Sequence, residues 1–449
     1  MSRWPDAWVP AKGQHVFELV TSGSRGWAQH YSGTGPAFIR VGNLDHHTIT
    51  LDLQDIQRVT PPAGAEGERT RLKTNDLLVS ITAEVGMVGL VPPDLGEAYI
   101  NQHIALARPL PGVEPRYLAW YLASEADGKR SLREASRGGT KSGLGLDDIR
   151  QVEIPLAPLP EQQRIADKLD TVLARVHACR NRLTRVAPLL KRFRQSVLDA
   201  AMSGRLTADI QREVGASLEP LAKLGAISGG LTKNAKRDDL PLRRAYLRVA
   251  NVHANELRLD DVSEIGLTEA EFAKTKLVAG DLLIVEGNGS IEQIGRVAMW
   301  SGEIADCCHQ NHLIRWRAGS RVLPKFALCF LLSPEGRRQI ESVASSTTGL
   351  HTLSVSKVGE LRMPVPPLEE QTEIVRRVET LFAFADRLQT RLAQAETAVA
   401  RLTPALLAKA FRGELVPQDP ADEPATELLK RLAQSRPAAA TKPRRRKAA

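Results

Sequence analysis

"PLPEQQRIADKLD" occupies residues 158–170, and "PLEEQTEIVRRVE" occupies residues 367–379. The second is a near copy of the first, displaced by 209 positions. Repeats that build solenoids have units of about 20–50 residues, so this spacing points to a duplicated half-molecule. Other pairs extend the repeat in the same order. "FIRVGNL" at 38 matches "YLRVANV" at 246, and "TNDLLVSI" at 74 matches "AGDLLIVE" at 279. "INQHIAL" at 100 matches "HQNHLIR" at 309, and "RYLAWYLAS" at 116 matches "KFALCFLLS" at 325. "AMSGRL" at 201 closes the first copy as "AFRGEL" at 410 closes the second.

Each copy contains two kinds of segment. The first kind, residues 1–155 and 208–363 (the latter with a linker at its start), has short apolar runs such as "FIRVGNL" and "LLVSI". Gly, Pro, Asn and Asp punctuate them, which predicts strands, and "PRYLAWYLAS" predicts a short helix among them. The second kind, 156–207 and 364–415, carries one helical seam. Ile165, Leu169, Val172, Val176, Cys179, Leu183, Val186, Leu190, Phe193 and Val197 alternate in steps of four and three. Adding 209 gives Ile374, Val378, Leu381, Ala385, Leu388, Leu392, Ala395, Val399, Leu402 and Leu406, every one apolar. Such spacing is that of a coiled-coil heptad. Acidic residues follow the opening prolines, where the helix dipole favours them, and Gly204 and Gly413 suit the stops. Pro188 and Pro404 each remove a backbone donor inside a helix. Two mixed α/β (α+β) domains, each followed by a long helix, are therefore expected, with the helices packed on each other.

The 449 residues are 42% hydrophobic and 25% charged, ordinary values for globular domains. No apolar run approaches the 18 or so residues of a membrane span, and the start "MSRWPDAW" has no apolar signal region. Four cysteines form no CxxC pair, and a cytoplasmic protein free of disulfides and membrane is expected. The net charge of +9 owes five cations to the segment "TKPRRRKAA" in the tail, 416–449; without them it is +4. Charge of this size permits nucleic-acid binding without requiring it.

Catalytic patterns are sought without success. There is no GxxxxGK[ST], no GxSxG and no HExxH. "EGNGSIEQIG" (286–295) has one GxG and suits a hairpin loop, and "CCHQNH" (307–312) has no standard zinc spacing and suits a strand. Asp76 and Asp281 recur in "NDLL" and "GDLL", where a carboxylate entering a strand is a turn residue. No catalytic residue and no metal site is assigned.

Two mixed domains, each followed by a helix opening "PLPEQQ" or "PLEEQT", resemble the specificity subunit of type I restriction-modification systems. "GDLLIVEGNGSIEQIGRVAMW", "VPPLEEQTEIVRRVETLFAFADRLQ" and "ALLAKAFRGELVPQD" carry the resemblance. It implies two target recognition domains reading a bipartite double-stranded DNA site. The long helices would form an antiparallel coiled coil with pseudo-two-fold symmetry that docks two methyltransferase subunits. Motor and endonuclease subunits would complete the complex. S-adenosylmethionine and ATP would be bound by those partners, leaving this chain no cofactor. A coiled-coil scaffold that binds proteins without reading DNA is the alternative.

DNA-contacting candidates come from loops at equivalent places. "SRGGTKSGLG" (136–145) offers Thr140, Lys141 and Ser142, and "SSTTGLHTLS" (345–354) offers Thr347, Thr348 and His351. Hydroxyl and basic groups on Gly-rich backbone suit phosphate oxygens, although a plain flexible connection has the same composition. Arg40 and Asn43, with Arg248 and Asn251, are polar at matching strand ends. Arg and Asn are readers of guanine and adenine, but readers of two different half-sites should differ between the copies. Holding the fold or touching the DNA backbone suits these four better.

Overall fold

A computed structural model describes residues 4–435 apart from 63, 83, 126–127, 138–142, 211–215 and 348–349. The chain divides into two units. Residues Met1–Thr184 and Gln394–Ala449 make the first, so it draws on both ends of the chain. Arg185–Ala393 make the second.

Both units are built on the same sheet. In the first, a four-stranded antiparallel sheet runs Phe17–Ser22, Ile104–Pro109, Leu77–Ser80, Val88–Leu90. In the second the order is Gly225–Gly229, Leu313–Ala318, Leu282–Val285, Val297–Met299. The inner strands "LLVS" and "LLIV" are buried at every position. Alternate side chains leave a strand on opposite faces, and each face here meets its own core. Leu77 and Val79 join one apolar cluster and Leu78 another; Leu282 and Ile284 separate from Leu283 and Val285 in the same way. That is why these strands are continuous apolar runs rather than alternating ones. A second sheet in each unit contains a parallel pair, Tyr31–Ile39 with Ala98–Ile100 and Arg243–Leu247 with Cys308–His309.

The second long helix, Leu368–Ala410, is unbroken for 43 residues and passes through Pro404. Where the first was expected, there are two helices, Leu159–Leu183 and Val186–Met202, with Thr184 and Arg185 between them. Pro188 has no N–H to give the Thr184 carbonyl and its ring crowds that oxygen, so the hydrogen-bond ladder lapses there. Both intervening residues keep right-handed helical dihedrals. Gly204 and Gly413, at φ of 73° and 75°, follow the two helix ends in the left-handed region that a Cβ disfavours.

Most seam positions are buried or half-buried, among them Ile165, Leu169, Val176, Leu190, Ile374, Val378, Leu392 and Val399. Two expected positions are not: Cys179 is exposed and Leu402 is 45% exposed. A straight α-helix drifts about 20° per heptad against a strict seven-residue repeat. Four heptads beyond Ile374 the buried stripe has moved on, and Leu407 and Ala410 are buried instead.

The repeated "EQ" has one structural job in both units. Gln162 and Gln371 have no exposed surface. The Gln162 Oε1 accepts from the Glu114 N–H at 3.1 Å, and its Nε2 donates to the Ala157 carbonyl at 2.7 Å. The Gln371 Oε1 accepts from the Leu323 N–H at 2.9 Å, while its Nε2 donates to the carbonyls of Arg321 and Pro366. Glu114 and Leu323 are the N-caps of the buried helices Pro115–Ala123 and Pro324–Leu332. Each glutamine therefore ties the start of a long helix to the start of a core helix. The preceding glutamates are buried too. Glu161 accepts from Trp8 Nε1 at 2.9 Å and from Gln418, and Glu370 accepts from Thr207 Oγ1 at 2.8 Å.

Gln162→Leu is nearly isosteric but strands two buried backbone groups, and is expected to cost about 2–4 kcal/mol. The exposed neighbour serves as control: Gln163→Leu should stay within about 0.5 kcal/mol. Urea midpoints of the two variants against the parent check this.

Candidate nucleic-acid interface

The turns after Ile39 and Leu247 are set by side chains that reach back to their own backbone. Asn43 Oδ1 accepts from the Arg40 N–H at 2.9 Å, and its Nδ2 donates to the carbonyls of Asp52 and Asp55. Asn251 repeats the pattern with the Arg248 N–H and the carbonyls of Arg258 and Asp261. Both asparagines are buried, and their carboxamides are spent on closing these loops. The arginines are the accessible members. Arg40 lies 3.9 Å from Asp55, whereas Arg248 holds Asp261 at 2.8 Å.

A second polar turn lies beside the first. Residues 101–103 and 310–312 connect the parallel strand to the next sheet strand in each unit. The carbonyls of His103 and His312 accept from the N–H groups of Ile81 and Glu286. His103 Nδ1 is 2.5 Å from Thr82 Oγ1, and His312 Nδ1 is 3.0 Å from Glu286 Oε2. In the first unit Arg40, Asn43, Asp52, Asp55, Asn101 and His103 line one open cleft of 480 Å³. The histidines stand in the repeated "NQH" and "QNH", a signal present in the sequence but read there only as part of the duplication.

The segment "SSTTGLHTLS", expected as a Gly-rich loop that contacts DNA or merely connects, contains strands instead: Ser345–Thr347 and Leu350–Thr352 pair antiparallel. Gly287–Asn288, from the loop after Val285, adds a third strand beside Leu350–Thr352. Hydroxyl-bearing β-branched residues on either side of a glycine are a hairpin signal. His351 sits opposite Asn288 and Ser346 in that sheet, and Thr347 ends its outer strand. Thr348, and Thr140, Lys141 and Ser142 of the other loop, lie outside the described residues.

Asp76 and Asp281 are turn residues with a further task. Asp76 accepts from the Lys73 N–H and from both Nε and Nη2 of Arg108 at 2.7 Å. Asp281 does the same with the Val278 N–H and Arg317. These are fork-to-carboxylate pairs with buried carboxylates, and each joins the entry of an inner strand to the neighbouring strand.

"CCHQNH" holds the strand Cys308–His309. Burial pushes the Cys307 thiol up to about 12, away from the thiolate that metal binding or nucleophilic attack needs. His309 is fully buried, its Nδ1 3.2 Å from the Thr275 carbonyl. Burial, helped by Arg315, pushes its pKa down to about 4.

The family model described as the type I restriction modification DNA specificity domain matches residues 42–185 and 228–397. The chain belongs to the type I restriction-modification specificity subunits. Like other specificity subunits it is a non-catalytic recognition component. The EcoKI specificity subunit of Escherichia coli is 34% identical over 342 residues, 71% of this chain and 72% of its own. The StySPI specificity subunit of Salmonella potsdam is 34% identical over 322 residues, 71% of this chain and 69% of its own. The HsdS subunit from Thermoanaerobacter tengcongensis shares the fold, with a TM-score of 0.57 at 18% identity over 92% of this chain and 98% of that one. A chain from a type I system studied for complex assembly and conformational transition has a TM-score of 0.62 at 19% identity, covering 92% and 100%. Among the described residues no helix of this specificity subunit is long and apolar enough to cross a membrane.

Stability of the second unit should depend on mild acid through His309. Its folded pKa lies below the ordinary 6.5, so the unfolded chain takes up the proton first. Stability is therefore whole above about pH 6.5 and falls as the pH drops toward about 4, by on the order of 3 kcal/mol from this group. Ile100 occupies the equivalent place in the first unit. His309→Ile should flatten that limb in urea midpoints measured from pH 7 to pH 4.

Proposed function

We propose that each unit reads one half of a bipartite DNA target, and that the long helices set the distance between the halves while docking two methyltransferase subunits. The observation that carries this reading is a shared frame bearing different surfaces. The sheet order, the Asn43 and Asn251 turns and the Asp–Arg clamps are the same in both units. At matching turn positions, all half-buried except the buried Asn101, the side chains diverge: Asn101 against Gln310, Gln102 against Asn311, Thr82 against Gly287. One frame with two sets of groups suits two unlike half-sites in major grooves, where donor and acceptor patterns distinguish all four base pairs.

The helices are proposed to pair as an antiparallel coiled coil with pseudo-two-fold symmetry. In the second unit Arg194 of Val186–Met202 bonds to Asp386 and Gln389 of Leu368–Ala410, which supports pairing. In the first, Leu407 and Ala410 share an apolar cluster with Ile165 and Leu169. Two readers on one face of a duplex sit about 10 bp apart or a multiple of it. Chemistry would then belong to partners: S-adenosylmethionine on the methyltransferase subunits, ATP on a motor subunit.

Co-expression with a cognate methyltransferase subunit, followed by mapping of modified adenines, tests the reading. A single split motif with a fixed spacer, absent without this chain, is expected. Replacing residues 1–155 by those of a relative should alter one half of that motif only. An intact complex that modifies no defined motif would leave the protein-scaffold alternative standing.

A further inference from the structure

Arg296 stands immediately before the strand Val297–Met299, and its carbonyl accepts from the Val285 N–H at 2.9 Å. Met87 holds the same place in the first unit, where its carbonyl accepts from the Ser80 N–H. The backbone is thus the same, but a buried thioether in one unit is replaced by a guanidinium in the other.

That guanidinium is half-buried and lacks an acidic partner among the described residues. It donates to the Val249 carbonyl and to Gln293 Oε1, each at 3.5 Å, the outer limit of a hydrogen bond. Its Nε is buried without a partner. Arg237, Arg248 and Arg317 of the same unit each hold a carboxylate, Glu271, Asp261 and Asp281 respectively. Burial alone acts on the Arg296 charge and lowers its pKa. A desolvated cation without a counter-charge is costly unless a partner arrives. The residue lies against the turn Val249–Asn251 and beside the loop whose Gly287–Asn288 joins the 345–352 hairpin, so the partner must come to this polar edge.

We propose that Arg296 is a specificity-determining residue of the second unit that reads a guanine through its O6 and N7 in the major groove. The inference rests on the DNA-reading function proposed above. Arginine presents two parallel donors that match those two acceptors. A phosphate would accept the same fork, but backbone contacts have no reason to differ between two readers. The exchange of methionine for arginine at one position of a common frame is what different half-sites demand.

The test uses the whole complex with its methyltransferase subunits and a panel of duplexes, each carrying one base-pair change in the mapped target. Arg296→Met installs the residue that the first unit already tolerates, and Arg296→Lys keeps the charge without the fork. Both variants are expected to lose about 10- to 100-fold of discrimination at a single G·C pair in one half-site, with the other positions unchanged. An unchanged panel profile overturns the assignment. So does equal weakening on every duplex with a shallower salt dependence, which would make Arg296 a phosphate contact. Unfolding of Arg296→Met would also overturn it, because the guanidinium would then be holding the fold. A parent complex that discriminates at no position would instead sink the DNA-reading function itself.

Discussion

Two buried carboxamides fix how each recognition unit is joined to its long helix. Gln162 and Gln371 are wholly removed from water, and each satisfies an N–H at the start of a core helix and a carbonyl before its own helix. A buried amide of this kind has one good orientation, since any other leaves polar groups unpaired in an apolar setting. A leucine would fill the space and specify nothing about direction. Under the proposed function, in which the helices set the distance between two readers, an angular constraint at the root of each helix matters more than added apolar area.

Buried charge is used with the same economy. Asp76 with Arg108 and Asp281 with Arg317 lock the entry of each inner strand to its neighbour, at the end away from residues 101–103 and 310–312, and both carboxylates also accept a backbone N–H. Such pairs are weak evidence of net stability, because desolvation offsets much of their attraction. What they supply is geometry, an arginine fork locked to a carboxylate that is itself locked to a turn. At the other end of the sheet the asparagine-closed loops leave Arg40 and Arg248 partly accessible and partnered to different degrees.

Much of this was legible in the sequence because duplication writes every signal twice. The apolar runs "LLVSI" and "LLIV" predicted strands, and Gly204 and Gly413 marked the helix ends. What escaped were features set by partners far along the chain. Nothing local to "NDLL" points to Arg108, and nothing local to "RVGN" shows that Asn43 turns inward to Asp52 and Asp55. The seam was followed as a strict repeat, so the drift that exposes Leu402 and buries Leu407 was missed. The hairpin at 345–352 was hidden because its glycine and hydroxyls fit a flexible connection as well as a turn. His309 defeats the repeat itself, a buried imidazole where the first copy has Ile100.

The first unit is closed by residues from the far end of the chain. Phe411 packs edge-on against Tyr117 and Tyr121, with ring centroids 5.3 and 5.1 Å apart, and Leu428 and Leu432 enter the same core. Arg164 holds Asp422, and Glu161 takes a hydrogen bond from Gln418. During synthesis, residues up to Thr184 must therefore leave the ribosome with an open apolar face and wait for more than two hundred further residues. The second unit is one unbroken segment and has all its parts once Ala393 is out. The half made first is completed last, and in the interval its exposed core is the part of the newborn chain most in need of protection from aggregation.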